Sequence, residues 1–270
     1  MKLKAIKSIA VAILFLMVAN SSAQEKISVP LSNPSNSGVL KMGIVSGAIT
    51  ITGYNGNEVV VIGTKRAERK RKNKSKNKYG LKKISNKSME FSVEEYDNTV
   101  KVESTPMTTI DFEIKVPVNF SLKVSTVNRG FIEVSNIKGA IEVSNVNGKI
   151  TLKDITGSVS ADTVNGDIVA NLLKVTPNTA MAFSNLNGKL DVTLPKSIKA
   201  NVKIKSDRGE IFTDFDLQSK PQKAKVTKGK ASKGGVYKVK VENWITGSIN
   251  GGGPEISFKT FNGDIILRAK

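Results

Sequence analysis

The chain of 270 residues contains no cysteine and no histidine. The absence of cysteine excludes disulfides, thiolate metal sites and iron–sulfur clusters. The absence of histidine excludes serine or cysteine nucleophiles that an imidazole activates, and also histidine-bound zinc, copper or haem iron. Carboxylate, lysine, tyrosine and serine chemistry remains, but no motif concentrates these groups. The sequence therefore predicts no catalytic residue, no metal site and no cofactor, and we expect a protein that is not an enzyme.

Residues 1–23 have the pattern of a secretory signal peptide. Three lysines precede an apolar stretch over 9–18, and small residues follow up to Ala23, which is the order of such a segment. The apolar stretch is shorter than the ~20 residues of a membrane-spanning helix, and no cysteine follows it to carry a lipid anchor. We expect cleavage near Ala23 and an exported protein, periplasmic, outer-surface or secreted, with no transmembrane segment after cleavage.

Basic side chains are in large excess. Lysine and arginine number 42 against 23 acidic residues, which gives a formal net charge of +19. Such a surplus favours acidic partners, and we expect anionic polysaccharide, lipopolysaccharide or another envelope component, and no specific nucleic acid. The sequence predicts no oligomeric state.

Two lysine-rich segments, 65–87 and 219–235, are interpreted as insertions. Blocks of like charge resist packing, so each is either a solvated hairpin loop or an electrostatic contact surface. If the first segment binds an acidic ligand, we expect the binding residues to be Lys65, Arg66, Arg69, Lys70, Arg71 and Lys72.

Glycine recurs every nine residues through the middle of the chain, at Gly130, Gly139, Gly148, Gly157 and Gly166. Two alternating apolar residues follow each glycine, and this period of two is typical of a strand with one buried face. Asn-Gly and Lys-Gly pairs before the apolar residues are typical of turns. Gly188 and Gly263 extend the same pattern further along the chain.

Similarity is strongest between every second repeat. SNVNGKI (144–150) resembles DTVNGDI (162–168) more than SNIKGAI (135–141). A meander of antiparallel hairpins is one interpretation, but coils of two strands would stack like corners on like corners. We therefore predict an all-β fold, a single-chain parallel β-solenoid with repeats of about nine residues, two per coil. The glycines would form structural turns, because a Cβ there would strain the backbone or meet the neighbouring coil.

The predicted solenoid occupies residues 38–270 with its two insertions, and 24–37 forms an N-terminal lead or cap. A solenoid has two open ends, which natural proteins cap or charge. We expect the C-terminal strand, with Arg268 and Lys270, to lie at such an end.

Three segments carry a family resemblance: ITGYNGNEVVV (51–61), FEIKVPVNFSLKVSTVNRGFIEVSNIKGAIEVSNVNGKI (112–150) and GGGPEISFKTFNGDI (251–265). Over roughly residues 38–268 the chain resembles the bacterial "putative adhesin" family, exported β-solenoid domains of unknown function of the "putative auto-transporter adhesin" type. The resemblance implies a parallel single-chain β-solenoid. The basic insertion departs from the family pattern, so a ligand preference of other members need not transfer.

The expected function is an exported, adhesin-like binding or structural module of the cell envelope. Its outward ladders would include Glu133, Ser135, Asn136, Glu142, Ser144, Asn145, Thr151, Lys153, Ser160 and Asp162. One alternative is a carbohydrate-active β-helix enzyme, which needs carboxylates clustered on one face. Another is a calcium-stabilised β-roll with aspartates in its corners; here only Asp167 and Asp264 directly follow a glycine. The single tryptophan, Trp244, would cap an apolar column or stack on a sugar.

Overall fold

A computed structural model describes residues 24–66, 89–220, 225–228, 239–242 and 244–270. The signal segment and most of both predicted insertions, with the candidates Arg69, Lys70, Arg71 and Lys72, lie outside the described residues. The described residues form strands, turns and loops, with no helix among them. No helix in this part of the chain is therefore long and apolar enough to cross a membrane.

The strands form two large sheets and one separate pair. They are β1 (Gln24–Pro30), β2 (Val39–Ser46), β3 (Ile49–Tyr54), β4 (Glu58–Lys65), β5 (Phe91–Tyr96), β6 (Thr99–Ser104), β7 (Ile110–Pro117), β8 (Ser121–Asn128), β9 (Ile132–Ser135), β10 (Ile141–Asn147), β11 (Ile150–Gly157), β12 (Val159–Asn165), β13 (Ile168–Val175), β14 (Met181–Asn187), β15 (Leu190–Leu194), β16 (Ala200–Arg208), β17 (Ile211–Thr213), β18 (Gln218–Lys220), β19 (Lys225–Lys228), β20 (Val239–Glu242), β21 (Ile245–Ile249), β22 (Glu255–Asn262) and β23 (Ile265–Ala269).

Sheet A has the order β1-β4-β7-β3-β9-β11-β13-β15-β23-β17, and sheet B has the order β18-β21-β16-β22-β14-β12-β10-β8-β2-β6-β5. Successive strands from β6 to β18 alternate between these two large sheets. Pairing is parallel from β7 to β17 in sheet A and from β6 to β16 in sheet B. Antiparallel strands occur at the ends of these stacks, and β19 pairs with β20 separately. The prediction of an all-β, solenoid-like fold with parallel strands is confirmed, and an antiparallel meander is excluded for the body.

The register between stacked strands follows the lengths of the turns. Ile132, Ile150 and Ile168 pair in sheet A at steps of 18 residues. Leu122 pairs with Ile141, a step of 19 residues, because Arg129 is an extra residue in the β8–β9 corner, where it adopts a φ of 59°. Each register keeps the inward residues of successive strands in line.

The spatial order departs from the sequence order at both termini. The β2–β3 unit lies between β6–β7 and β8–β9, and the β22–β23 unit lies between β14–β15 and β16–β17. The expectation that the C-terminal strand lies at an open end was therefore wrong. Ile265 and Leu267 of β23 are fully buried, so this strand gains more from two neighbours than from an exposed edge.

The core is a stack of inward Ile, Val, Leu and Phe side chains between the two sheets. Ile150, Ile168 and Leu190 on adjacent strands of sheet A are fully buried, and each such side chain contributes roughly 1.5–3 kcal/mol. In sheet B, Phe183 and Phe258 stack with ring centroids 5.4 Å apart and planes at 6°. One continuous apolar core therefore holds the two sheets together.

Candidate functional site

The corner between sheet B and sheet A is a column of glycines. A Cβ on Gly148 would lie 1.9 Å from the Gly130 oxygen, and one on Gly166 would lie 2.2 Å from the Gly148 oxygen. The column continues in the same way through the remaining corners: Gly47, Gly130, Gly148, Gly166, Gly188, Gly263 and Gly209. At the opposite corner, a Cβ on Gly157 would lie 2.3 Å from the Gly139 oxygen. Close backbone approach explains why these corners are glycine.

Beside this column runs an inward row of polar side chains that bind the corner carbonyls. Asn145 Nδ2 donates to the Gly130 oxygen at 3.2 Å, and Thr163 Oγ1 donates to the Gly148 oxygen at 3.1 Å. The other members are Thr126, Asn185, Thr260 and Ser206. Asn145 was expected to point outward, but it is buried at 1% exposure. Alternation with Ile141 and Val143 puts it on the inner face, and its amide satisfies a carbonyl in the corner.

Outside the same corner runs an exposed ladder of asparagines. Asn147 Nδ2 donates to Asn128 Oδ1, Asn165 to Asn147 and Asn187 to Asn165, each at 2.9 Å. Asn262 continues the ladder in register with Asn187. These amides bind one another, so the ladder stabilises the stack without a ligand.

The outer face of sheet B carries three further rows that run across its parallel strands. The row next to the ladder is apolar and largely exposed: Val45, Val127, Val146, Val164, Leu186 and Phe261. The middle row consists of Glu103, Gly43, Ser125, Ser144, Asp162, Ser184, Lys259 and Lys205. The third row consists of Lys101, Lys41, Lys123, Glu142, Ser160, Ala182, Ser257 and Lys203. Side chains in each row are about 4.8 Å apart, the spacing of strands in a sheet.

At the β6–β10 end of this face, two lysines form ion pairs. Lys101 Nζ lies 2.6 Å from Glu103 and Lys123 Nζ lies 2.9 Å from Glu142. The hydrogen bond to Glu103 raises the pKa of Lys101, and the charges of Glu103 and Glu94 add to this. Gly43 and its neighbours form the floor of a depression of about 490 Å³ between these side chains.

At the β16–β22 end, cations lie against aromatic rings. Lys203 Nζ is 4.5 Å and Lys205 Nζ is 6.0 Å from the centroid of Trp244. Arg208 Cζ is 5.2 Å from the ring of Phe261. Trp244 immediately precedes β21, which pairs with β16, so its ring packs beside lysines of the outer face. The two ends of the same rows therefore differ in chemistry.

A separate groove of about 650 Å³ lies where the loops after β13, β15 and β21 meet. Its lining includes Leu173, Pro177, Met181, Ile198 and Pro254.

Comparison with known proteins assigns the family. Residues 122–267, more than half of the chain, match the family described as Toastrack DUF4097. The chain belongs to this family. The match runs from β8 to β23 and so includes most of the stacked strands and the glycine corner. The resemblance to an uncharacterised adhesin-like family is confirmed at this level.

One solved structure has a fold similar to that of this Toastrack chain. It is described as "a putative cell adhesion protein" from Clostridium sporogenes ATCC 15579, and it superposes with a TM-score of 0.50 at 15% identity, covering 93% of this chain and 100% of the other. At that identity the similarity concerns the fold. No curated protein matches the chain.

The basic candidates of this Toastrack chain are described only at the start of their segment. Lys65 ends β4. The Arg66 guanidinium binds both carboxylate oxygens of Asp111 and donates to the Arg129 carbonyl, while Asp111 Oδ1 also accepts from Ala48 N at 2.8 Å. Arg66 thus anchors the first corner, and ligand binding by the segment stays a prediction.

Carboxylates of the candidate enzyme and calcium sites have structural partners. Glu133 lies in sheet A beside Lys153, whereas Glu142 lies in sheet B. Asp167 Oδ1 accepts from Lys189 N at 2.8 Å, and Asp264 Oδ1 accepts from Glu210 N at 2.9 Å. In the described ranges, no three acidic side chains lie close enough together to hold a metal ion. These two aspartates fix the backbone of the next strand at the corner.

Proposed function

We propose that this Toastrack protein is an exported, non-enzymatic module of the cell envelope that binds acidic polymers on the outer face of sheet B. The observation that supports this proposal is the set of straight side-chain rows across parallel strands from β6 to β16. Such rows present side chains to a repeating polymer at a regular spacing of about 4.8 Å.

Charge determines the class of partner in this proposal. A formal net charge of +19 attracts anionic chains at long range, and lysines of β16 and β22 lie on the outer face of sheet B. Anionic polysaccharide or lipopolysaccharide therefore fits better than a neutral glycan. The name of the structurally similar adhesion protein agrees with a binding role.

A binding role rather than catalysis is also supported by the carboxylates. A glycosidase uses two carboxyl groups held on either side of the scissile bond. Glu133 and Glu142 belong to different sheets, and each is bound by a lysine. Export by cleavage near Ala23, and the auto-transporter part of the family resemblance, remain predictions.

The test is a glycan array probed with residues 24–270 at low and at high salt. A second protein replaces 67–88 by a short glycine-serine linker and keeps Lys65 and Arg66, so that the Arg66–Asp111 anchor is preserved. We expect binding to acidic glycans that weakens with salt and survives the replacement. Loss of binding on replacement would assign the site to the basic segment instead. Absence of binding to every acidic glycan would refute the proposal.

A further inference from the structure

Charge is distributed unevenly along the outer face of sheet B. At the β6–β10 end, Lys41, Lys101 and Lys123 lie among three glutamates, of which Glu103 and Glu142 form ion pairs and Glu94 is in register with Lys101. This end is balanced, so it attracts an anion weakly.

The β16–β22 end carries an excess of positive charge. Lys203, Lys205 and Arg208 on β16 and Lys259 on β22 face outward. Two acidic side chains share these strands: Asp207 and Glu255. Asp207 lies 3.3 Å from Lys205 and neutralises it in part, whereas Glu255 is four residues from Lys259, about 13 Å along the strand. Lys259 and Arg208 are exposed, and their charges face solvent.

Aromatic rings border these cations on both sides. Trp244 packs on Lys203 at 4.5 Å, and Phe261 packs on Arg208 at 5.2 Å. The strands β21, β16 and β22 are adjacent, so the two rings lie about two strand spacings apart, on the order of 10 Å. Phe261 is 41% exposed, which leaves part of its surface open to solvent.

We propose that this patch, formed by Lys203, Arg208, Trp244, Lys259 and Phe261, is the binding site for an acidic polysaccharide. The C–H face of a sugar packs on an aromatic ring, while its carboxylate or phosphate binds the neighbouring ammonium or guanidinium. A cation held beside a ring selects a sugar that carries its charge close to an apolar face. The inference rests on the proposed function and locates it.

The first measurement uses the intrinsic fluorescence of Trp244, the single tryptophan of the chain. Titration with polygalacturonate (carboxylate) or phosphomannan (phosphate) is expected to change its emission, and the stronger titrant identifies the anionic group. Dextran, a neutral polymer, is expected to leave the emission unchanged. An acidic glycan that binds by calorimetry without changing the emission would overturn the location.

The second measurement compares variants by calorimetry at low salt. Lys203→Ala/Lys259→Ala is expected to weaken binding of the acidic glycan at least tenfold. The matched control Lys41→Ala/Lys101→Ala removes two lysines from the other end of the face and is expected to stay within twofold of the wild type. Thermal melting verifies that both variants are folded. Equal losses in the two variants would show diffuse charge attraction and overturn the site.

The third measurement separates the ring from the charge. Trp244→Ala is expected to weaken polygalacturonate binding several-fold and to leave binding of polyglutamate, a polyanion without sugar rings, nearly unchanged. Equal effects on the two polymers would overturn the aromatic contact. If the wild type binds acidic glycans and the site variants match it, the location falls and the proposed function stands. If the wild type binds none, both fall.

Discussion

The glycine column leads to a sharp prediction for Gly148→Ala. The new Cβ would lie 1.9 Å from the Gly130 oxygen, about 1 Å closer than Cβ atoms come to other atoms in proteins. That oxygen belongs to the backbone of the stacked corner and can move only if the strand moves. We expect the clash to cost about 3 kcal/mol, at the upper end of overpacking effects.

The same substitution also disturbs a hydrogen bond. The Cβ would lie 2.7 Å from Asn145 Nδ2, the group that binds the Gly130 carbonyl, and loss of that bond adds about 1 kcal/mol. A total of about 4 kcal/mol lowers the melting temperature by roughly 8 to 16 °C for a chain of this size. Differential scanning calorimetry of residues 24–270 measures the shift.

Gly43→Ala is the matched control, because its Cβ meets only the Ser125 hydroxyl, at 3.2 Å. A hydroxyl can rotate away, so we expect a change within about 1 kcal/mol. A melting temperature for Gly148→Ala within 3 °C of the wild type, or equal shifts for both variants, would refute the argument from close stacking.

Two further predictions concern single side chains. Asn98→Ala is expected to lower the free energy of unfolding by about 2 kcal/mol, because the buried Asn98 amide accepts from Asn33 N and donates to Asn33 O. Urea denaturation measures this loss of stability. A loss below about 0.5 kcal/mol would contradict the prediction. The hydrogen bonds from Arg268 lower the pKa of Asp191 in the folded state, so this pair stabilises the fold above the unfolded pKa of about 3.9. That contribution, about 1 kcal/mol or less, is lost as the pH falls through the folded pKa. Thermal melts down to about pH 2 should show it in the wild type and not in Asp191→Asn; identical profiles would exclude it.

The stacked body of the fold was predictable because its rules are local. Alternation such as Ile132 and Val134 defines a strand with one buried face, and a corner without room for a Cβ requires glycine wherever it recurs. Both signals repeat in the sequence at short range, so the parallel strands and the positions of their corners could be predicted together.

The order of the strands at the termini was not predictable from the same signals. β22 pairs with β14 at a separation of 75 residues, Met181 with Ile256, and nothing in the repeat distinguishes this partner from another apolar strand. Pairing depends on which exposed edge a strand can cover, and that is a property of the assembled stack. Arg268 in β23 and Lys270 after it suggested an end position, but the burial of Ile265 and Leu267 places the strand inside the sheet.

The candidate binding patch was missed for a related reason. Lys203, Trp244 and Lys259 lie far apart in the sequence and come together because β21 and β22 pair with opposite edges of β16. Asn145 was assigned to the outer face by its polarity, although the period of two places it inward with Val143. A polar residue at a position where the alternation expects an apolar one indicates a buried hydrogen bond. In this fold, the carbonyls of the corner glycines are the acceptors.

The stack separates the positions that hold the fold from those that face outward. At the corner positions, a Cβ would lie about 2 Å from the backbone of the neighbouring corner. The inward positions face the closed apolar core. Outward positions of sheet B meet solvent and their neighbours in the row, so a lysine, a serine or an aromatic ring fits there without disturbing the stack. The same strand spacing can consequently carry the balanced rows at β6–β10 and the cationic, aromatic patch at β16–β22. Since the fold imposes little on these rows, we expect the outward residues to determine which partner the proposed site selects, and exchanging them between the two ends of one sheet should move binding without changing the melting temperature.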